Sequence, residues 1–280
     1  MICVTTPKTR ALKKAAGRNL RKYWGKSISA FIITVLSISL ICVAEGALRL
    51  YLSEPYFFKI DDQILYNISL VSFFLILGNL VLVYLIYEPL KLSMKGYFLN
   101  LSCRSKGSLL SLFDAFSTIR GYFSGIMLSI KLSLLKLFWI VVLFVPSSAL
   151  AYAAAAVLNS ELSDTGRIVV KICVGLFAVF NLFELFFLSV LLNRYFLAPY
   201  LLISNNAYSS RDAIRKSKRL MKGNLRKVYF LHLSYMGWRW LLFFLLPALF
   251  VVPLFEEAKA ELAKNLMYFR DDNENSVIVK

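Results

Sequence analysis

Few residues in the apolar stretches of this chain could do chemistry, and those few are ionisable. A charge inside hydrocarbon is costly, so each one is a functional hypothesis. Glu184 lies in the apolar stretch Ile168–Leu192 and Arg239 in the stretch Val228–Leu254. Counted from the same end, they sit about 9 and about 11 residues deep, or roughly 13–17 Å at the helical rise. The matching depths predict that Glu184 and Arg239 face each other, with Asn181 and Tyr235 nearby. Such a pair could relay protons or anchor a substrate at mid-membrane. The plainer expectation is an ion pair that clamps two helices, and Arg239 could also snorkel to the surface on its long stem. His232 is the only histidine. It would titrate near pH 6.5 if exposed, but a lone histidine in a helix is ordinarily packed and hydrogen-bonded.

Other chemistry finds no residues to carry it. Neither GxSxG, HExxH, a P-loop nor GxGxxG occurs, so no nucleophile, zinc protease or nucleotide template is met. The four cysteines, Cys3, Cys42, Cys103 and Cys173, form no CxxC pair. With one histidine besides, a zinc site is not expected. Asp61-Asp62 lacks partners for a metal, and Asp114 could cap a helix or pair with Arg120. The expectation is therefore no catalytic residue, no metal, no cofactor and no enzyme.

The elements that must position Glu184 and Arg239 are membrane spans. Of 280 residues, 59% are hydrophobic, 15% aromatic and 18% charged, with a mean hydropathy of +0.65. Soluble domains are about 45–50% apolar and roughly 25% charged. A span needs about 20 apolar residues. Five stretches qualify: Ser27–Leu48, Ile68–Tyr87, Leu132–Val157, Ile168–Leu192 and Val228–Leu254. The first could be a cleavable signal, but its basic lead-in of 26 residues and its length favour a retained span. The expected fold is an all-α polytopic bundle, with a basic segment 1–26, a five-span domain 27–254 and a tail 255–280.

The net charge of +17 first suggests nucleic acid. Its distribution says otherwise. Segments 1–26, 88–131 and 205–227 carry 22 Lys/Arg and three acids, whereas 49–67, 159–167 and 255–280 carry seven and 11. Excess Lys/Arg marks cytoplasmic loops. Five spans then put the N-terminus inside and the C-terminus outside. A weakness lies at Pro247: if the chain breaks there and returns, the tail lies inside. Apolar residues at Phe255, Ala258, Leu262, Leu266 and Phe269 predict an outer interfacial helix. Glu45 is expected to reach the outer interface.

Basic helices should precede some of the spans. In 209–227, Ser209 and Asp212 form a capping-box-like start. Ala213, Ile214, Ser217, Leu220, Met221 and Leu225 make a narrow apolar stripe. Arg211, Arg215, Lys218, Arg219 and Lys222 occupy much of the rest, which predicts an inner-leaflet helix touching anionic lipid head groups. Ordinary orientation-setting charge explains the same bases. Segments 11–26 and 108–122 have a similar character. The string Asn19-Leu20-Arg21-Lys22-Tyr23 is echoed by Asn224–Tyr229. Gly121 and Gly125 form a GxxxG outside the expected spans.

Arg194, Tyr195, Leu197, Ala198 and Tyr200 are followed by Ser217, Met221, Lys222 and Gly223, then by Gly237-Trp238. In these motifs the chain resembles the bacterial integral-membrane family named domain of unknown function 975. Pro89–Leu101, Ser111–Phe116 and Pro253-Leu254-Phe255 also look similar, although the family favours Pro-Tyr at the last site. The resemblance implies a multi-span inner-membrane protein and no particular reaction. Two functions remain open. One is a non-enzymatic protein that organises, senses or protects the envelope, with anionic lipids, a membrane partner or a second copy as partners. The other is a small transporter or transport accessory using Glu184 and Arg239. Nucleic acid is not an expected partner.

Overall fold

A computed structural model describes residues 9–54, 57–60, 63–66, 69–103, 108–158, 164–204, 208–239 and 245–278. Helices dominate it. α1 (Thr9–Leu20) leads into α2 (Trp24–Tyr51), a long apolar helix. A small antiparallel hairpin follows, β1 (Phe57–Ile60) with β2 (Gln63–Tyr66), pairing Phe57 with Tyr66. α3 (Leu70–Leu82), a wide π-type turn (Val83–Tyr87) and α4 (Glu88–Ser102) run on as one rod. Ser69 caps its start by accepting a hydrogen bond from the Ser72 amide. Proline stands at the second position of α4, where its missing N–H is tolerated because the loosened π-type turn precedes it.

Among the described residues, four stretches are long and apolar enough to cross a membrane: Trp24–Tyr51, Leu70–Ser102, Ile119–Ala149 and Val179–Ser204. They overlap the first four expected spans, the third and fourth only in part. Only 6% of the apolar windows of the second and third are buried within the protein. Leu36, Leu40, Phe73, Phe74, Leu134 and Phe138 are all exposed. That much contiguous apolar surface is not stable against water.

The fifth expected span, 228–254, is not a single helix. It breaks into α10 (Leu225–Ser234) and α11 (Met236–Arg239), and α12 (Leu245–Ile278) begins after residues 240–244. The two short helices together reach roughly 20 Å. The chain also doubles back, because the Tyr235 and Phe255 rings lie 4.8 Å apart. Phe250 meets Trp24 at the start of α2. Lys13 of α1 donates to the Ser234 carbonyl at 2.8 Å. α10 and the buried part of α12 therefore both lie against α1. The depth argument for Arg239 loses its basis.

The tail departs from expectation for the same reason. Leu262, Ala263 and Leu266 of α12 are buried, as are Leu12, Ala16 and Leu20 of α1, and the two helices pack together and against α4. The stripe read as an outer interfacial surface is core. Residues 255–267 lie at the same end of the bundle as α1, not the opposite end. The chain does not break at Pro247, which lies in the first turn of α12.

α6 (Ile119–Leu158) and α7 (Asp164–Asn193) pack on each other, and α8 (Ala198–Ser204) is almost wholly buried. The predicted helix over 108–122 is instead a 3-10 turn (Leu109–Phe113), a single turn α5 (Asp114–Ser117) and a break at Thr118. α9 (Ser210–Met221) starts as expected, with Ser209 accepting from the Asp212 amide and donating to its carboxylate. Gly223 turns the chain from α9 to α10 with φ +89°, which favours glycine. Gly125 lies inside α6, and a Cβ there would meet Leu92 of α4 at 2.9 Å. The glycine thus lets the two helices approach.

At the far end, near the hairpin, Arg49 is 2% exposed. It donates to Glu45 at 2.9 Å and to the Ser72 hydroxyl at 2.8 Å. Asn79 also donates to Glu45. Glu45, expected at an open interface, is instead part of a polar clasp between α2 and α3.

Candidate functional site

The intramembrane residues are not gathered into one site by the described contacts. Glu184 on α7 is 7% exposed, and its Oε2 has no hydrogen-bond partner among the described residues. Arg239 ends α11, and its side chain lies outside the described residues, so the expected pair does too. Asn181 turns back to its own helix, donating to the Phe177 carbonyl at 2.9 Å. Tyr235 meets Phe255 and the Lys13 ammonium, which sits 4.4 Å from its ring centre. His232 stands edge-on to Phe255 at 5.4 Å and to Phe196 at 6.5 Å.

The basic helix behaves differently. Ala213, Ser217, Leu220 and Met221 of α9 are buried, packed chiefly on α8. Ser217 donates to the Arg194 carbonyl at 2.9 Å, which joins two parts of the sequence motif. Lys131 of α6 donates to Ser210 at 2.6 Å. Arg211, Arg215, Lys218, Arg219 and Lys222 are exposed. The apolar stripe thus packs within the protein, and the bases form an outer face.

A buried polar cluster joins α12 to α1 and α4, and composition gave no warning of it. Glu257 is fully buried; its Oε1 accepts from Asn19 at 2.9 Å and from Ser102 at 2.9 Å. Burial pushes its carboxyl up to about 7, against the pull of those two hydrogen bonds. Glu256 beside it behaves oppositely. Burial raises it, but Lys259, Lys95 and Lys91 together hold it below the ordinary carboxylate range. Lys264 donates to the Ser102 carbonyl at 2.8 Å and to Glu261 at 3.2 Å. The signal that could have found the cluster was two adjacent acids on an otherwise apolar helical stripe.

A cleft of about 350 Å³ opens between α4, residues 111–118, the first turns of α6 and the end of α8. Ser93, Asn100, Ser117 and Ser124 line it, with Asp114 and Arg120. Asp114 and Arg120 do not pair with each other, since no ion pair joins them among the described residues. Ser93 accepts from the Ala115 amide at 3.0 Å, which holds the 109–117 segment over α4.

These features define a helical protein with, among the described residues, four helices long and apolar enough to cross a membrane and a polar, basic assembly at one end. A family model described as "Protein of unknown function (DUF975)" matches residues 7–268. The chain belongs to that family. No curated protein matches it, and no solved structure does.

Proposed function

We propose that the chain is a non-enzymatic, multi-pass protein of a bacterial cytoplasmic membrane that helps organise, sense or protect the envelope. Its α9 face holds anionic lipid head groups at the cytoplasmic leaflet. The carrying observation is the split character of α9. Its stripe is occupied by protein contacts, while Arg211, Arg215, Lys218, Arg219 and Lys222 remain exposed. A helix held this way presents charge without inserting, so attraction to the leaflet is electrostatic. Support for the sidedness comes from the contacts among α1, α4, α9 and α12. They bring the three basic segments to one end, as a cytoplasmic end requires. The tail 255–267 joins them there through its contacts with α1 and α4, and on this reading it belongs to the cytoplasmic side as well.

Reconstitution tests this. The full chain, placed in vesicles of phosphatidylcholine with a minority of phosphatidylglycerol, should enrich the anionic lipid around itself. Replacing Arg211, Arg215 and Arg219 with glutamine should weaken the enrichment by roughly fivefold per base. The effect should shrink with salt. Unchanged enrichment in the triple variant would sink the proposal.

A further inference from the structure

The cleft at the basic end has no role in the reading above. Its volume of about 350 Å³ is at the small end of ligand sites, which span roughly 300–1,000 Å³. It is large enough for a head group and too small for a whole lipid. Asp114 and Arg120 bring opposite charges to its wall, beside the hydroxyls of Ser117, Thr118 and Ser124. Both charged side chains are exposed, and neither has a hydrogen-bond or ion-pair partner among the described residues.

The surroundings are apolar. Leu110, Phe113, Phe116, Ile119 and Phe123, on the segments that line the cleft, are exposed, Ile119 to 79%. Two candidate spans end here, one finishing at Ser102 and the next starting at Ile119. Polar groups in the cleft beside exposed apolar side chains are what a site at the level where head groups meet acyl chains requires. A soluble metabolite would fill the cleft and leave the apolar side chains bare. An amphiphile satisfies both.

We propose that the cleft holds the phosphoethanolamine head group of a phospholipid, its ammonium at Asp114 and its phosphate at Arg120. The acyl chains lie over Phe113, Phe116, Ile119 and Phe123. A primary ammonium offers three N–H donors to a carboxylate. A quaternary ammonium offers none, which separates ethanolamine from choline. The planar guanidinium fork matches phosphate oxygens, and the Thr118 and Ser124 hydroxyls add further donors, while that of Ser117 already donates to the Asp114 carbonyl. The assignment shares the membrane placement proposed above and does not depend on the α9 face.

The test uses the full chain in nanodiscs of phosphatidylcholine with minor phosphatidylethanolamine and phosphatidylglycerol, released into mild detergent for native mass spectrometry. The wild-type protein should retain phosphatidylethanolamine over both other lipids. Asp114→Asn should lower that retention about tenfold, the cost of one charged hydrogen bond. Arg120→Gln should lower retention of the ethanolamine and glycerol lipids alike. Both residues are exposed, so melting temperatures should stay at the wild-type value and separate binding from folding. The Arg211, Arg215 and Arg219 triple variant should lose phosphatidylglycerol enrichment and keep the ethanolamine preference, so the two proposals fail separately. Equal retention of ethanolamine and choline lipids by the wild-type protein would overturn the assignment. So would a preference that survives Asp114→Asn. Competition by soluble glycerophosphoethanolamine as strong as by the lipid would overturn the lipid in favour of a soluble ligand.

Discussion

Asn19, on the first helix, donates a 2.9 Å hydrogen bond to Glu257, on the last. Ser102, at the end of α4, donates to the same oxygen. One buried carboxylate thus ties together three helices that are distant in sequence. Its raised carboxyl should make their docking sensitive to pH.

The pH dependence has a definite sign. Glu257 has its carboxyl raised from 4.5 to about 7 in the folded protein. The folded state then binds a proton that the unfolded state has lost, so stability falls as pH rises between those values. The contribution is complete below about pH 4.5 and lost above about pH 7, with a size on the order of 3 kcal/mol. Thermal unfolding of the detergent-solubilised protein at about pH 5 and about pH 8 should show the fall. In Glu257→Gln the slope across that window should flatten, because glutamine does not titrate. A variant with the wild-type slope would locate the titration elsewhere.

The two donors to Glu257 should be coupled. Asn19→Ala or Ser102→Ala each removes one hydrogen bond to a buried acceptor, at about 1–2 kcal/mol. Because they share one oxygen, the double variant should not equal the sum of the singles. Chemical denaturation of the four proteins measures the coupling, and strict additivity would argue against the shared acceptor.

Arg49 should be hard to replace. It is buried and paired with Glu45 at 2.9 Å. Arg49→Ala leaves Glu45 without that partner in a protected place, a loss of about 3–5 kcal/mol. Lysine lacks the guanidinium fork and should rescue only partly. Amounts of folded protein after extraction read this out. Full recovery by lysine would show that charge alone matters there.

Helix approach at Gly125 depends on size. A Cβ there comes within 2.9 Å of the end of the Leu92 side chain. That end can move, and alanine favours a helix over glycine by about 1 kcal/mol. Gly125→Ala should therefore be nearly neutral in melting temperature. Gly125→Leu should cost about 1–3 kcal/mol through overpacking. A tolerated leucine would mean that α4 and α6 are not held at this distance.

By itself, the sequence determined the class. Long apolar stretches, a local property, located four helices able to cross a membrane, and the Lys/Arg excess picked out the segments that gather at one end. The Ser209 cap of α9 was legible because a cap is decided within four residues. Tertiary structure decided the rest. Periodicity says that Leu262 and Leu266 share a face, but not whether lipid, water or α1 covers it. The same holds for the α9 stripe, which is covered by α8. Glu45 looked like an interface residue until Arg49, Ser72 and Asn79 closed around it. The contact between Asn19 and Glu257 spans nearly the whole chain. Such a contact is set by how helices pack rather than by either residue's neighbours in sequence, and it joins the last helix to the first.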